Sequence, residues 1–113
     1  MKPVRWVGGS EKDLEGMPDA PRHEIRAALF AAESGGKADN AKPMRGDLRD
    51  VVEVVTHDRD GTFRGMYYVG KELIYALHFF QKKSKRGVAT PKRELELIRR
   101  RFAWARRQER EAG

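Results

Sequence analysis

The chain contains no cysteine. That excludes a disulfide framework and any thiolate metal site, and it suits a reducing cytoplasm. Histidine is scarce as well, with three residues at positions 23, 57 and 78. No HExxH pattern and no cluster of carboxylates accompanies them. The sequence therefore predicts neither a resident metal nor a cofactor. No apolar stretch approaches the roughly 20 residues that span a bilayer. The opening stretch, MKPVRWVGGSEKD, lacks the apolar core of a secretory signal. A cytoplasmic protein with no membrane partner is expected. A chain of 113 residues supports one modest core, hence one domain over residues 1–113.

What the chain does carry is positive charge, unevenly placed. Its 24 lysines and arginines outnumber 17 acids, for a net charge of +7. Residues 82–113 hold twelve of those cations and only four acids, Glu94, Glu96, Glu109 and Glu111. The whole excess lies in the last third. Such asymmetry points to a polyanionic partner, of which nucleic acid is the commonest. A solvated basic helix serving solubility is the plain alternative.

Periodicity predicts β-α-α-β-β-β-α. Residues 2–7 suit a short strand, broken by Gly8-Gly9. Ser10 is placed to cap a brief helix, with Asp13 three residues on as a variant capping box. A second helix opens at Asp19 or Ala20 with Pro21 in its first turn. Its apolar face is Ile25, Ala28, Leu29 and Ala32, and Ser34-Gly35-Gly36 stops it. Residues 37–50 are polar, contain Pro43 and Gly46, and read as a loop. Three strands follow, 51–56, 62–69 and 73–81, joined by short turns, the first marked by Asp60-Gly61. They form an antiparallel meander. Residues 82–89 read as a basic loop. Thr90 and Pro91 open a last helix whose stripe is Leu95, Ile98, Phe102 and Ala105. The expected class is α+β, with helices packed on a small, mostly antiparallel sheet.

Chemistry concentrates where the third meander strand meets the basic run. Arg64 is permanently charged, and its planar fork can grip two phosphate oxygens. Pairing with Glu53 is its structural alternative. Lys82, Lys83 and Lys85 follow the apolar strand at once, and a buried strand rarely ends on such a cluster without an anion to meet. Alternation sends Lys82 to the face of His78 and Phe80, and Lys83 to the other. Tyr68 shares a face with Arg64 and can stack on a base, as Phe80 can, although a core role suits Phe80 well. His78 can serve as acid or base, or simply pack. Glu53 can take a proton, or pair with Arg64. Lys85 and Arg86 are candidate contacts to the flanking backbone. His23 and His57 are assigned nothing.

Three blocks resemble the RelE/ParE toxin superfamily, in particular its phage-derived Gp49-like, HigB-type branch. They are Ala41 to Gly46 (AKPMRG), Phe63 to Tyr67 (FRGMY), and His78 to Lys85 (HFFQKKSK) followed by Thr90-Pro91. The resemblance runs from Val4 to about Arg107. It implies a RelE-like fold and the toxin of a type II toxin–antitoxin system. It implies a metal-independent endoribonuclease that cuts mRNA on the ribosome by attack of the 2′-hydroxyl on the adjacent phosphate, so inhibiting translation. It implies a cognate antitoxin, often a helix-turn-helix DNA-binding protein. The catalytic set would be Arg64, Lys82, Lys83, Glu53 and His78, with Tyr68, Lys85, Phe80 and Arg86 binding substrate. Cleaving relatives often place a tyrosine or histidine just after the last strand, and residues 82–93 contain neither. A non-catalytic RNA- or protein-binding inhibitor of this fold, or a gyrase-directed ParE-like toxin, is the alternative.

Overall fold

A computed structural model describes residues 1–82 and 90–112. Strand β1 (Val4–Trp6) leads into helices α1 (Ser10–Glu15) and α2 (Asp19–Glu33). Strands β2 (Ala41–Pro43), β3 (Val51–Asp58), β4 (Gly61–Val69) and β5 (Ile74–Lys82) follow, then helix α3 (Lys92–Ala112). The five strands form one mixed sheet in the order β1-β5-β4-β3-β2. The meander β3-β4-β5 is antiparallel, and β1 returns parallel to β5. The α+β reading of the sequence is borne out.

Period-2 alternation gives the sheet two apolar faces, and each is covered. Val52, Val54, Phe63, Tyr67, Ala76 and Phe79 pack with Leu14 of α1 and Ile25, Ala28, Leu29 and Ala32 of α2. Val51, Met66, Tyr75 and Leu77 pack on the other side against Ile98, Phe102 and Ala105 of α3. The stripe expected for α2 is buried, and so is that of α3 apart from Leu95, which is half-buried. At the α2 terminus the φ of Gly35 is +89°, and the Gly36 amide donates back to the Ala31 carbonyl oxygen at 2.8 Å. That left-handed turn favours glycine and satisfies a carbonyl of the last helical turn.

Three local expectations are corrected. Ser10 does not cap α1. It is the first helical residue, is fully buried, and its hydroxyl donates to the Ala76 carbonyl oxygen at 3.0 Å. A buried strand carbonyl with a second lone pair outcompetes the helix amides, since Val7 N–H already takes the first. The polar stretch 37–50 is not all loop, because Ala41–Pro43 pairs with β3. Pro43 is tolerated there since β2 is an edge strand. Lys82 is not in a loop either; it is the last residue of β5, paired with Thr62.

Strand β5 carries one irregularity. Met66 faces His78 while Tyr67 faces Ala76, so Leu77 is an extra residue, a β-bulge. Arg101 of α3 donates from Nη1 to the Leu77 carbonyl oxygen at 2.8 Å. That bond satisfies a backbone group at the interrupted ladder.

Gly65, mid-strand in β4, lies under the Phe79 ring. A Cβ there would sit 2.7 Å from Phe79 Cδ1 and 3.3 Å from Ile25 Cγ2. Gly65→Ala is therefore expected to destabilise by about 1–3 kcal/mol through overpacking, measured by urea unfolding. A variant as stable as the parent would contradict the ring's placement over the glycine.

Candidate functional site

The α3-facing side of the sheet is laid out in rows set by strand register. The first row is Val51, Tyr68 and Tyr75; the next is Glu53, Met66 and His78. The third is Val55, Arg64 and Phe80; the last is His57, Thr62 and Lys82. Five predicted site residues, Glu53, Arg64, His78, Phe80 and Lys82, therefore share one face within three adjacent rows. The α3 helix covers the first rows through Ile98 and Phe102. It begins at Lys92, and its first turn reaches the second row, where Glu94 meets His78.

Arg64 donates from Nη1 to Glu53 Oε2 at 2.5 Å. Their side chains are only 12% and 10% exposed. The pairing weighed from sequence is thus real, and it is buried. A buried guanidinium and carboxylate compensate one another's charge, and removing either leaves the other desolvated and alone. Lys82 is 9% exposed and sits one residue pair further along the same face. A lysine this enclosed is not an ordinary solvated surface cation.

His78 lies in the neighbouring row, buried, with its ring stacked on Phe80 at a centroid separation of 5.0 Å. Its Nε2 meets Glu94 Oε1 of α3 at 3.3 Å. The carboxylate pulls the imidazole pKa up, but burial pushes it down more strongly, so the net shift is downward. Arg101 adds to the lowering, and Asp13 opposes it. The ring is then neutral near pH 7, with Nε2–H donating to Glu94. Nδ1 is buried and has no hydrogen-bond partner among the described residues.

That shift has a sign. The unfolded histidine titrates near 6.5 and the folded one lower. The stabilisation is full above the unfolded value and is lost as pH falls through the folded one. Lowering pH from 7.5 to 5.5 is expected to reduce the urea midpoint, and His78→Leu to shrink that reduction. An unchanged pH response in the variant would show that His78 does not carry it.

Tyr68 shares the Arg64 face, as expected, two rows away. Four residues along β4 from Arg64, it lies roughly 13 Å away. There it packs edge-on against Phe102 at 5.1 Å and stacks on Tyr75 at 5.8 Å. Lys83, Lys85 and Arg86 lie outside the described residues.

The sequence reading passed over three residues of α3. Glu94 orients His78, Arg101 holds the bulge, and Glu109 accepts from the Tyr75 hydroxyl at 2.8 Å. They recur with Ile98 and Ala105 at helical spacing, so polar residues on the buried stripe were the available signal. Part of the arginine-rich surface of this helix has structural work too. Arg99 pairs with Asp47 at 2.8 Å, and the Arg106 guanidinium lies 5.5 Å from the centre of the Phe102 ring. Among the described residues no His, Asp and Glu side chains converge as metal ligands. No described helix is long and apolar enough to cross a membrane.

This sheet, with its helices and its basic strand end, defines a protein of the RelE toxin fold. Among solved structures it matches the toxin–antitoxin complex RelBE2 from Mycobacterium tuberculosis, with a TM-score of 0.50 and 20% identity. The match covers 72% of this chain and 98% of that one. The family described as phage derived protein Gp49-like (DUF891) matches residues 12–103, and the chain belongs to that family. No curated protein matches it. The resemblance seen in the sequence is therefore borne out for family and fold.

Proposed function

We propose that this chain is the toxin of a toxin–antitoxin pair and that it acts as a metal-independent endoribonuclease on mRNA at the ribosome. The observation that carries the reading is the placement of Arg64 and Lys82 on one face, in adjacent rows, beside a carboxylate and a half-buried aromatic ring. Cleavage of RNA by its own 2′-hydroxyl needs that combination. Cations must surround a phosphate as negative charge builds, and a base must receive the 2′-proton.

Arg64 would grip the scissile phosphate while Glu53 keeps the guanidinium oriented. Glu53 is the proposed acceptor of the 2′-proton. The 2′-oxygen then bonds to phosphorus, the bond from phosphorus to the 5′-oxygen breaks, and that oxygen takes a proton from solvent water, leaving a cyclic phosphate. Lys82 supplies the second cation, with Lys83, Lys85 and Arg86 assigned to the flanking backbone. Phe80 is the proposed platform for a base, and buried His78 supports its ring from below. Family membership and fold agree with a toxin neutralised by an antitoxin. An acidic segment of that partner, which family resemblance makes a helix-turn-helix protein, would complement the basic face.

Induced expression with mapping of mRNA 5′-ends tests the reading. In-frame cuts in translated messages, absent from untranslated ones, are the expected result. Growth arrest with intact messages would favour a binding inhibitor, and DNA damage a gyrase-directed toxin.

A further inference from the structure

A second concave site lies at the other end of α3, and the roles assigned above leave it unused. The β4–β5 turn, the start of β1 and the last turns of α3 enclose an open hollow of about 440 Å³. Lys2, Lys71, Arg106 and Arg110 line it, opposed among the lining residues by Glu109 alone. Tyr68 forms part of its wall, as does Val69, a valine that is 42% exposed. Such a residue at the mouth of a cationic hollow offers apolar surface to something flat.

Glu109 is fixed rather than mobile. Its Oε1 accepts from the Lys71 amide at 2.8 Å and its Oε2 from the Tyr75 hydroxyl at 2.8 Å. Burial and the Glu109 carboxylate push the Tyr75 hydroxyl up to about 12, so it remains a donor. Gly70 lets the carboxylate come this close, since a Cβ there would lie 2.5 Å from Glu109 Oε2.

We infer that this hollow is a nucleotide subsite, taking a phosphate on its cations and a base against Tyr68 and Val69. Cations hold phosphate in any sequence, whereas ring surfaces and a positioned acceptor hold a base. A carboxylate can accept from the amino group of a base, as it does from cytosine. A nucleotide can set its phosphate on the cations and turn a neutral base with an amino donor to the carboxylate, whereas a glutamate-rich segment brings only further carboxylates to it, so RNA fits this site better. The ligand class rests on the RNA reading above, but the site is separate from the Arg64 face.

The test uses adenosine 5′-monophosphate as probe and amide NMR of the full chain as readout, so it does not depend on cleavage. Saturable shifts at Val69, Gly70, Lys71 and the last turns of α3 are expected. The exposed double variant Lys71→Glu/Arg110→Glu should weaken them at least tenfold, whereas Arg64→Lys should retain them. Three results would overturn the subsite. One is the absence of shifts at millimolar probe. Another is their loss in Arg64→Lys, which would assign the binding to the other face. The third is displacement of the probe by a glutamate-rich peptide at equal concentration, which would make the hollow a peptide site. Persistence of the subsite in a chain that cuts no RNA would overturn the nuclease reading and leave this one standing.

Discussion

Arg64→Ala is expected to lower RNA cleavage by roughly 10²–10³-fold, the loss typical when a donor to developing negative charge is removed. It is also expected to destabilise the fold. Glu53 would be left about nine-tenths buried with its Arg64 partner gone. Breaking one side of such a pair costs about 3–5 kcal/mol. The two effects must be separated, because an unfolded toxin is inactive for an uninteresting reason. Arg64→Lys does this. It keeps a cation beside Glu53 but loses the planar fork, so stability should largely hold while cleavage still falls at least tenfold. Urea unfolding and a single-turnover cleavage assay on the same preparations provide the comparison. Wild-type cutting by a folded Arg64→Lys or Arg64→Ala protein would remove Arg64 from the chemistry.

Phe102→Ala is expected to cost about 3–5 kcal/mol, a large share of the roughly 5–15 kcal/mol that holds a domain of this size together. Phe102 is 5% exposed, contacts the Tyr68 ring, and lies under the Arg106 guanidinium. Its loss opens a cavity at the centre of the seam between α3 and the sheet. A fall in melting temperature of more than about 10 °C should follow. A drop under about 1 kcal/mol would mean that α3 rests on the sheet without being needed by it. In that case Glu94 could not be counted on to orient His78.

Much of this architecture was legible because it repeats. The meander shows in the alternation from Val51 to Gln81, and the faces of α2 and α3 in apolar residues three and four apart. What was not legible depends on partners far along the chain. Ala41-Lys42-Pro43 has no strand pattern of its own; the open edge of β3 recruits it. Ser10 has the chemistry of a helix cap, yet an acceptor 66 residues away claims its hydroxyl. Arg64 and Lys82 were expected to lie close together, and register puts them there. Tyr68 was expected on the Arg64 face, and it lies there, two rows away. Glu94, Arg101 and Glu109 were hidden by composition, since charged residues on a basic helix look like solvent contacts until the sheet is laid against them.

The extra residue in β5 sets the phase of everything after it. Strict alternation from Tyr75 would point Phe80 and Lys82 at the side occupied by Phe63 and Met17, forcing an ammonium group into an oily layer. Loss of Leu77 would close the bulge and keep Phe80 and Lys82 on the α3 side, whereas gain of one residue between His78 and Phe80 would turn the strand's end inside out. The phase of the strand's end should therefore survive removal of residue 77 but not an insertion beyond it.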